Sequence, residues 1–389
     1  MNTGVEFGVA FFDSTNTKDG GGWYSMNGER AMRFNGFSDL DARHVWITNL
    51  AMSDFYEQGL SKAAHLRNSS FFHQTLQHIS NDCGFQQGSS IPLVVEQLSG
   101  IAARVMEISK LCMPGLRILK SLHDSIYDYI GLDDIKDDAA CMYQPEFQAA
   151  FQENSYVAGI YWPRGIGTAR LSMNRVDFAE EVLGYPFPIG AWHYERSNMS
   201  VDDFINLDVP AIACVEVDLK SANKPELLAF GAQMSGTAVM REWITQPEAA
   251  MLKMADAKIR ISNILRGSAI NDSVELPSLL TGDALIRSSY SAGLVAENYL
   301  HALTSKRYDK RTRNSRNTYF FPSRAVYLKA VDRMLSYSLA RQMSDRDHIV
   351  SMYGFGAINI LVTEDLFVEA VKDAADMGFA IVSSKFKQE

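Results

Sequence analysis

Val5-Glu6-Phe7-Gly8-Val9-Ala10-Phe11 and, further on, Ser38-Asp39-Leu40-Asp41 together decide the fold class. The first stretch sets Val5, Phe7, Val9 and Phe11 on one face against Glu6, Gly8 and Ala10 on the other, the period of a strand. Gly20-Gly21-Gly22 and Asn27-Gly28 supply turns on either side of Trp23-Tyr24-Ser25-Met26, so residues 1–37 read as a β-rich arm of hairpins. The second stretch has the form of a capping box, and after it apolar positions recur at steps of three and four, the period of a helix.

Working outward, this spacing predicts helices near 39–66, 70–81, 91–112 and 115–131, with Pro92 in a first turn and Pro114-Gly115 as a break. Residues 156–220 change texture. Tyr156 to Trp162 and Ala211 to Leu219 read as short buried strands, and Pro163, Pro186, Pro188 and Pro210 punctuate the space between them. Thr245-Gln246-Pro247-Glu248 is the strongest helix start, with a capping Thr, a Pro in the first turn and a reciprocal Glu; its helix is predicted to run to about Arg266 and stop at Gly267. Further helices are expected near 283–305 and 323–343, one or two more across 353–379, and a last strand at 380–383. The predicted class is mainly α (α+β). Its parts are a β-hairpin arm (1–37), an acidic helical lobe (38–155), a mixed middle region (156–220) and a second helical lobe (221–389) that carries the basic loop 306–324, with a short C-terminal strand at its end.

The chain has 389 residues, enough for at least two cores. Hydrophobic residues at 47% and charged residues at 21% exclude the low-hydropathy, high-charge composition of disorder. The N-terminus lacks the basic and apolar regions of a signal peptide, and even the apolar segment from Met352 to Val362 holds Gly354, Gly356 and Asn359. These features predict a soluble chain, cytoplasmic or in a virion, with no membrane partner. Cys83, Cys112, Cys141 and Cys214 lie far apart, with no metal-ligand spacing, and read as buried free thiols.

Charge carries the clearest functional signal. The net charge is −9, yet residues 306–324 hold seven cations and one anion, a local charge of +6. Residues 1–155 are acidic, with 11 basic and 19 acidic side chains, and include the dense patch Asp133 to Asp138. A concentrated positive stretch in an acidic chain attracts phosphates or acidic surfaces. Five of its seven cations are Arg, whose planar fork fits phosphate, and Tyr308, Tyr319, Phe320 and Phe321 offer rings for base stacking. Lys306, Arg307, Lys310, Arg311, Arg313, Arg316, Tyr319 and Arg324 are therefore the candidate nucleic-acid-binding residues, with Arg260, Arg266 and Arg287 as further cations. The same stretch also reads as a solvated interhelical loop with Tyr319-Phe320-Phe321 packed into the core, or as a docking site for an acidic protein surface.

Linear catalytic signatures are absent: there is no H-E-x-x-H, G-x-S-x-G, Walker A or G-x-G-x-x-G motif. Ser221-Ala222-Asn223-Lys224 matches S-x-x-K without its companion motifs, and His73 and His78 do not share a helical face. No catalytic residue, metal site or cofactor is assigned on this basis. The expected function is a self-assembling structural protein that contacts nucleic acid through its backbone, such as a viral or phage capsid or nucleocapsid subunit, with further copies of itself as partners. The alternatives are an enzyme whose site gathers Trp162, Arg164, Trp192, His193 and Glu195, or a protein-binding regulatory module.

Overall fold

The computed structural model describes residues 6–17, 20–85, 89–130, 143–150, 156–157, 166–224, 227–228, 243–271, 275–305, 307–308, 319–320 and 323–385. In chain order the elements begin with β1 (Phe7–Phe12), β2 (Gly22–Met26), β3 (Met32–Phe34), β4 (Val45–Thr48), α1 (Met52–Glu57) and β5 (Leu66–Arg67). Next come α2 (Leu76–Asp82), α3 (Ile91–Cys112), α4 (Leu122–Ile130), α5 (Gln144–Ala150), β6 (Tyr156–Val157), β7 (Gly167–Ser172), α6 (Arg175–Leu183), β8 (Phe187–Arg196), α7 (Val201–Ile205) and β9 (Ala211–Asp218). β10 (Trp243–Thr245), α8 (Gln246–Met254), β11 (Lys258–Asn271), α9 (Ser278–Gly282), α10 (Ala284–Arg287) and α11 (Tyr290–Leu303) follow. The chain ends with β12 (Arg307–Tyr308), β13 (Tyr319–Phe320), α12 (Ser323–Asp345), β14 (Ile349–Gly354), β15 (Ala357–Val362), α13 (Phe367–Asp376) and β16 (Ala380–Lys385). The content is mixed α and β, with several sheets.

Two compact units form. Unit 1 comprises residues 1–131 together with 277–302, and unit 2 comprises 132–276 together with 303–389. Unit 1 holds a five-stranded sheet of order β3-β2-β1-β4-β5. β1 pairs antiparallel with β2 and parallel with β4, and β4 pairs parallel with β5. The hairpin residues at 7–34 thus share one sheet with β4 and β5. The expected alternation of an apolar and an opposite face does not hold in β1, which is buried on both: Phe7 and Val9 are buried on one side, and on the other Ala10 and Phe12 join Phe34, Leu40, Trp46, Leu50, Phe55, Leu60 and Leu66 in a core. Trp46 sits so close over β1 that a Cβ on Gly8 would stand 2.4 Å from its ring, which leaves glycine as the residue that fits. α3 packs on β1 and β2 through Val95, Leu98, Ala102, Val105 and Met106, spaced at threes and fours. The returning segment is tied in by polar contacts. Asn298 Nδ2 donates to the Phe72 carbonyl at 3.1 Å, and the Tyr290 hydroxyl donates to Asp82 at 3.0 Å.

Unit 2 contains two larger antiparallel sheets, β16-β7-β15-β14-β6 and β10-β9-β11-β8. Residues of both sheets, with α8, α12 and α13, build one core that includes Leu171, Ile244, Ile264, Tyr337, Tyr353 and Ile360. α12 packs against α8, β14, β8, β15 and α6, so it is buried almost all round.

Several helices lie where periodicity puts them. α3 covers 91–112, and α8 starts at the predicted Thr245 cap, where Glu248 accepts from the Thr245 N–H at 2.9 Å. Other expected helices are replaced by strands. The interval 39–66 contains β4, α1 and β5, and the helix expected up to Arg266 ends at Met254 and gives way to β11. Residues 349–362 form the β14–β15 hairpin before α13 begins.

Candidate functional site

The β14–β15 hairpin of unit 2 holds the most unusual chemistry among the described residues. Gly354 pairs with Ala357, leaving Phe355 and Gly356 as a two-residue loop with φ of +51° and +62°. Both signs are those a tight hairpin requires, since such a turn matches the twist of the flanking strands. Gly356 takes this conformation freely, and a Cβ there would stand 2.6 Å from the Phe178 ring. Phe355 does not: a bulky residue in the left-handed region costs about 1–2 kcal/mol, and such strain persists only where surrounding contacts impose it.

Those contacts come from α12. Asp332 Oδ1 accepts from the Phe355 N–H at 2.9 Å and from the Ser336 hydroxyl at 3.1 Å, while the Ser336 oxygen accepts from the Gly356 N–H at 3.3 Å. The Lys329 ammonium lies 4.0 Å from the centroid of the Phe355 ring, a cation–π contact under the loop. Lys329, Asp332, Arg333 and Ser336 recur at helical spacing, so one stripe of α12 faces the hairpin and α8 with its polar groups buried.

Burial sets the electrostatics. It pushes the Lys329 amine down to about 8 from an ordinary 10.5, partly opposed by Asp332. It pushes the Asp332 carboxyl up, with Lys329 and the Phe355 and Ser336 donors opposing. Beside this pair, the Arg333 guanidinium forks onto Glu248 Oε1 at 2.9 and 2.6 Å, and Glu248 Oε2 accepts from the Thr245 N–H and hydroxyl. Removing one member of such a buried pair costs about 3–5 kcal/mol, because the other charge is left desolvated and unmatched. Buried, shifted ionisable groups under a strained turn make this region the candidate functional site.

The sequence-derived candidates are distributed otherwise. Lys306, Lys310, Arg311, Arg313 and Arg316 lie outside the described residues. Arg307 and Tyr319 belong to the two-residue ladder β12–β13, in which Arg307 pairs with Phe320 and Tyr308 with Tyr319. Arg324 sits in the first turn of α12, half-buried, with its guanidinium carbon 5.6 Å from the Phe187 ring centroid. Arg260 and Arg266 are engaged on β11, with Glu216 and with Glu195 respectively. Trp162, Arg164 and the patch Asp133 to Asp138 lie outside the described residues. Trp192 points into a core with Phe147 and Phe187, whereas His193 and Glu195 on the same strand point outward, so these three do not share a site. Cys83, Cys112 and Cys214 are half-buried.

Sequence reasoning passed over Lys329, Asp332, Ser336 and Phe355. The signal present was a polar stripe inside an apolar helix, Val326-Tyr327-Leu328-Lys329-Ala330-Val331-Asp332-Arg333, followed by a turn with an aromatic between two glycines. In unit 1, His301 stacks against His73 and His123 with ring centroids 3.7 and 4.6 Å apart. Among the described residues, no group of three or more His, Cys, Asp or Glu is placed to hold a metal ion. Nor is any described helix long and apolar enough to cross a membrane.

No family model and no curated protein matches the sequence. Solved structures do match in fold. Phi29 DNA polymerase complexed with single-stranded DNA superposes with a TM-score of 0.52 at 11% identity, over 93% of this chain and 81% of that one. The same polymerase with primer-template DNA, in a post-translocation binary complex, gives 0.51 at 9% identity over the same shares. Its orthorhombic crystal form gives 0.51 at 11%. The chain therefore shares the fold of that polymerase. This overturns the expected capsid or nucleocapsid subunit, since the solved structures that share the fold over 93% of the chain are of a DNA polymerase.

Proposed function

We propose that this chain is a DNA-binding protein built on a polymerase fold, with single-stranded or primer-template DNA as its ligand. The observation that carries the reading is a fold shared over 93% of the chain with a polymerase whose structures contain those two kinds of DNA. The basic segment supports it: Lys306, Arg307, Lys310, Arg311, Arg313, Arg316 and Arg324 would track phosphates, and Tyr319 would stack on a base. Contact through the backbone suits a chain whose net charge is −9, because affinity follows local charge.

Fluorescence anisotropy with labelled single-stranded and primer-template DNA tests this reading. The Arg311→Ala, Arg313→Ala, Arg316→Ala triple variant is expected to weaken binding alike for all sequences. The slope of log affinity against log salt should become shallower by about 2–3, one increment per lost phosphate contact. An unchanged slope would move the contact away from this segment, and failure of the wild type to bind either DNA would remove the proposal.

A further inference from the structure

A polymerase fold implies divalent cations, because nucleotide transfer runs between two metal ions about 3.5–4 Å apart that carboxylate oxygens hold. Among the described residues of unit 2 the donor set does not fit that requirement. Not one Asp or Glu occurs on the five strands of the β16-β7-β15-β14-β6 sheet, which read AIVSSK, GTARLS, AINILV, IVSMYG and YV. The turn joining β14 to β15 is Phe355-Gly356, equally free of side-chain oxygens.

The carboxylate that does reach the hairpin is already committed. Asp332 uses Oδ1 for two protein donors and lies beside Lys329. Glu248, the other buried acid among the described residues of unit 2, accepts from Arg333 and Thr245 with both oxygens. Two buried acids therefore face two buried bases, Lys329 and Arg333, and this interior carries no surplus negative charge to draw in a cation. A cation site demands the opposite arrangement, several carboxylate oxygens converging with no protein cation among them.

We infer that the chain holds DNA without divalent cations, the fixed cations of α12 occupying the buried carboxylates that a metal would need. This rests on the DNA-binding reading above, and two measurements on the full-length protein separate them. Manganese titration followed by electron paramagnetic resonance, with no DNA present, should leave the ion free into the millimolar range. Capture of one or two ions per chain would overturn the inference, whether or not Asp332→Asn abolishes it. DNA affinity, measured in magnesium and in EDTA at matched ionic strength, should be the same in both; a loss in EDTA would also overturn it. Absence of DNA binding in both buffers would instead remove the DNA-binding reading, and the manganese titration would still decide the cation question.

Discussion

Lys329 is a buried amine in an environment far from its ordinary one. In the unfolded chain its amine holds its proton up to about pH 10.5, whereas burial releases that proton at about pH 8 in the folded state. Between these values the unfolded chain binds more protons, so stability rises with pH across that window and the burden of the buried charge is fully present below it. The gain is at most about 3 kcal/mol. The urea midpoint of the wild type is therefore expected to climb from about pH 8 to about pH 10, and Lys329→Met should lack that climb. Equal pH profiles in the two proteins would place the amine in a wetter setting. Asp332 acts in the acid range with the opposite slope. Its raised carboxyl keeps a proton that the unfolded chain has lost, so stability falls as pH rises above 3.8. None of this is legible in sequence, since a stripe of Lys, Asp, Arg and Ser on a helix ordinarily faces water; the covering hairpin, formed by the segment after α12, is what reverses that reading.

At the scale of elements, the strands that were misread had good physical reasons to look helical. β4 is buried at all four positions, Val45 to Thr48, because it lies between parallel neighbours; it shows no alternation, and a short apolar run cannot be told from a helix by period. β11 is subtler. A register shift between Ile261 and Asn263 inserts a residue, so the buried positions fall at 261, 264 and 265 and imitate helical spacing. α3 and the start of α8 were legible because amphipathic period and capping chemistry are local. The β14–β15 hairpin lends itself to test as an element. Gly356→Ala adds a Cβ 2.6 Å from the Phe178 ring at a positive φ, and should cost about 2–4 kcal/mol through combined overpacking and backbone strain. Thermal unfolding of the variant checks this, and an unchanged midpoint would mean that the turn can relax away from α6.

For the whole molecule, mixed α and β content was legible in sequence but the fold shared with the polymerase was not, because at 9–11% identity the likeness lies in the path of the backbone rather than in side chains. The path has one property that no local pattern reveals: unit 1 is made from two separated pieces of chain, with 277–302 returning after the first part of unit 2. During synthesis that last piece leaves the ribosome only after residues 132–276 have done so. N-terminal units usually fold first as they emerge; this one has to wait, with the Phe72 carbonyl and the Asp82 carboxylate lacking the Asn298 and Tyr290 groups that meet them. A nascent chain stalled at residue 276 should accordingly be cut by protease within residues 60–130, and one stalled well beyond residue 302 should resist there. The order of folding is thus written into the order of translation, and a chaperone that shields the first 131 residues would act before the polymerase-like scaffold exists at all.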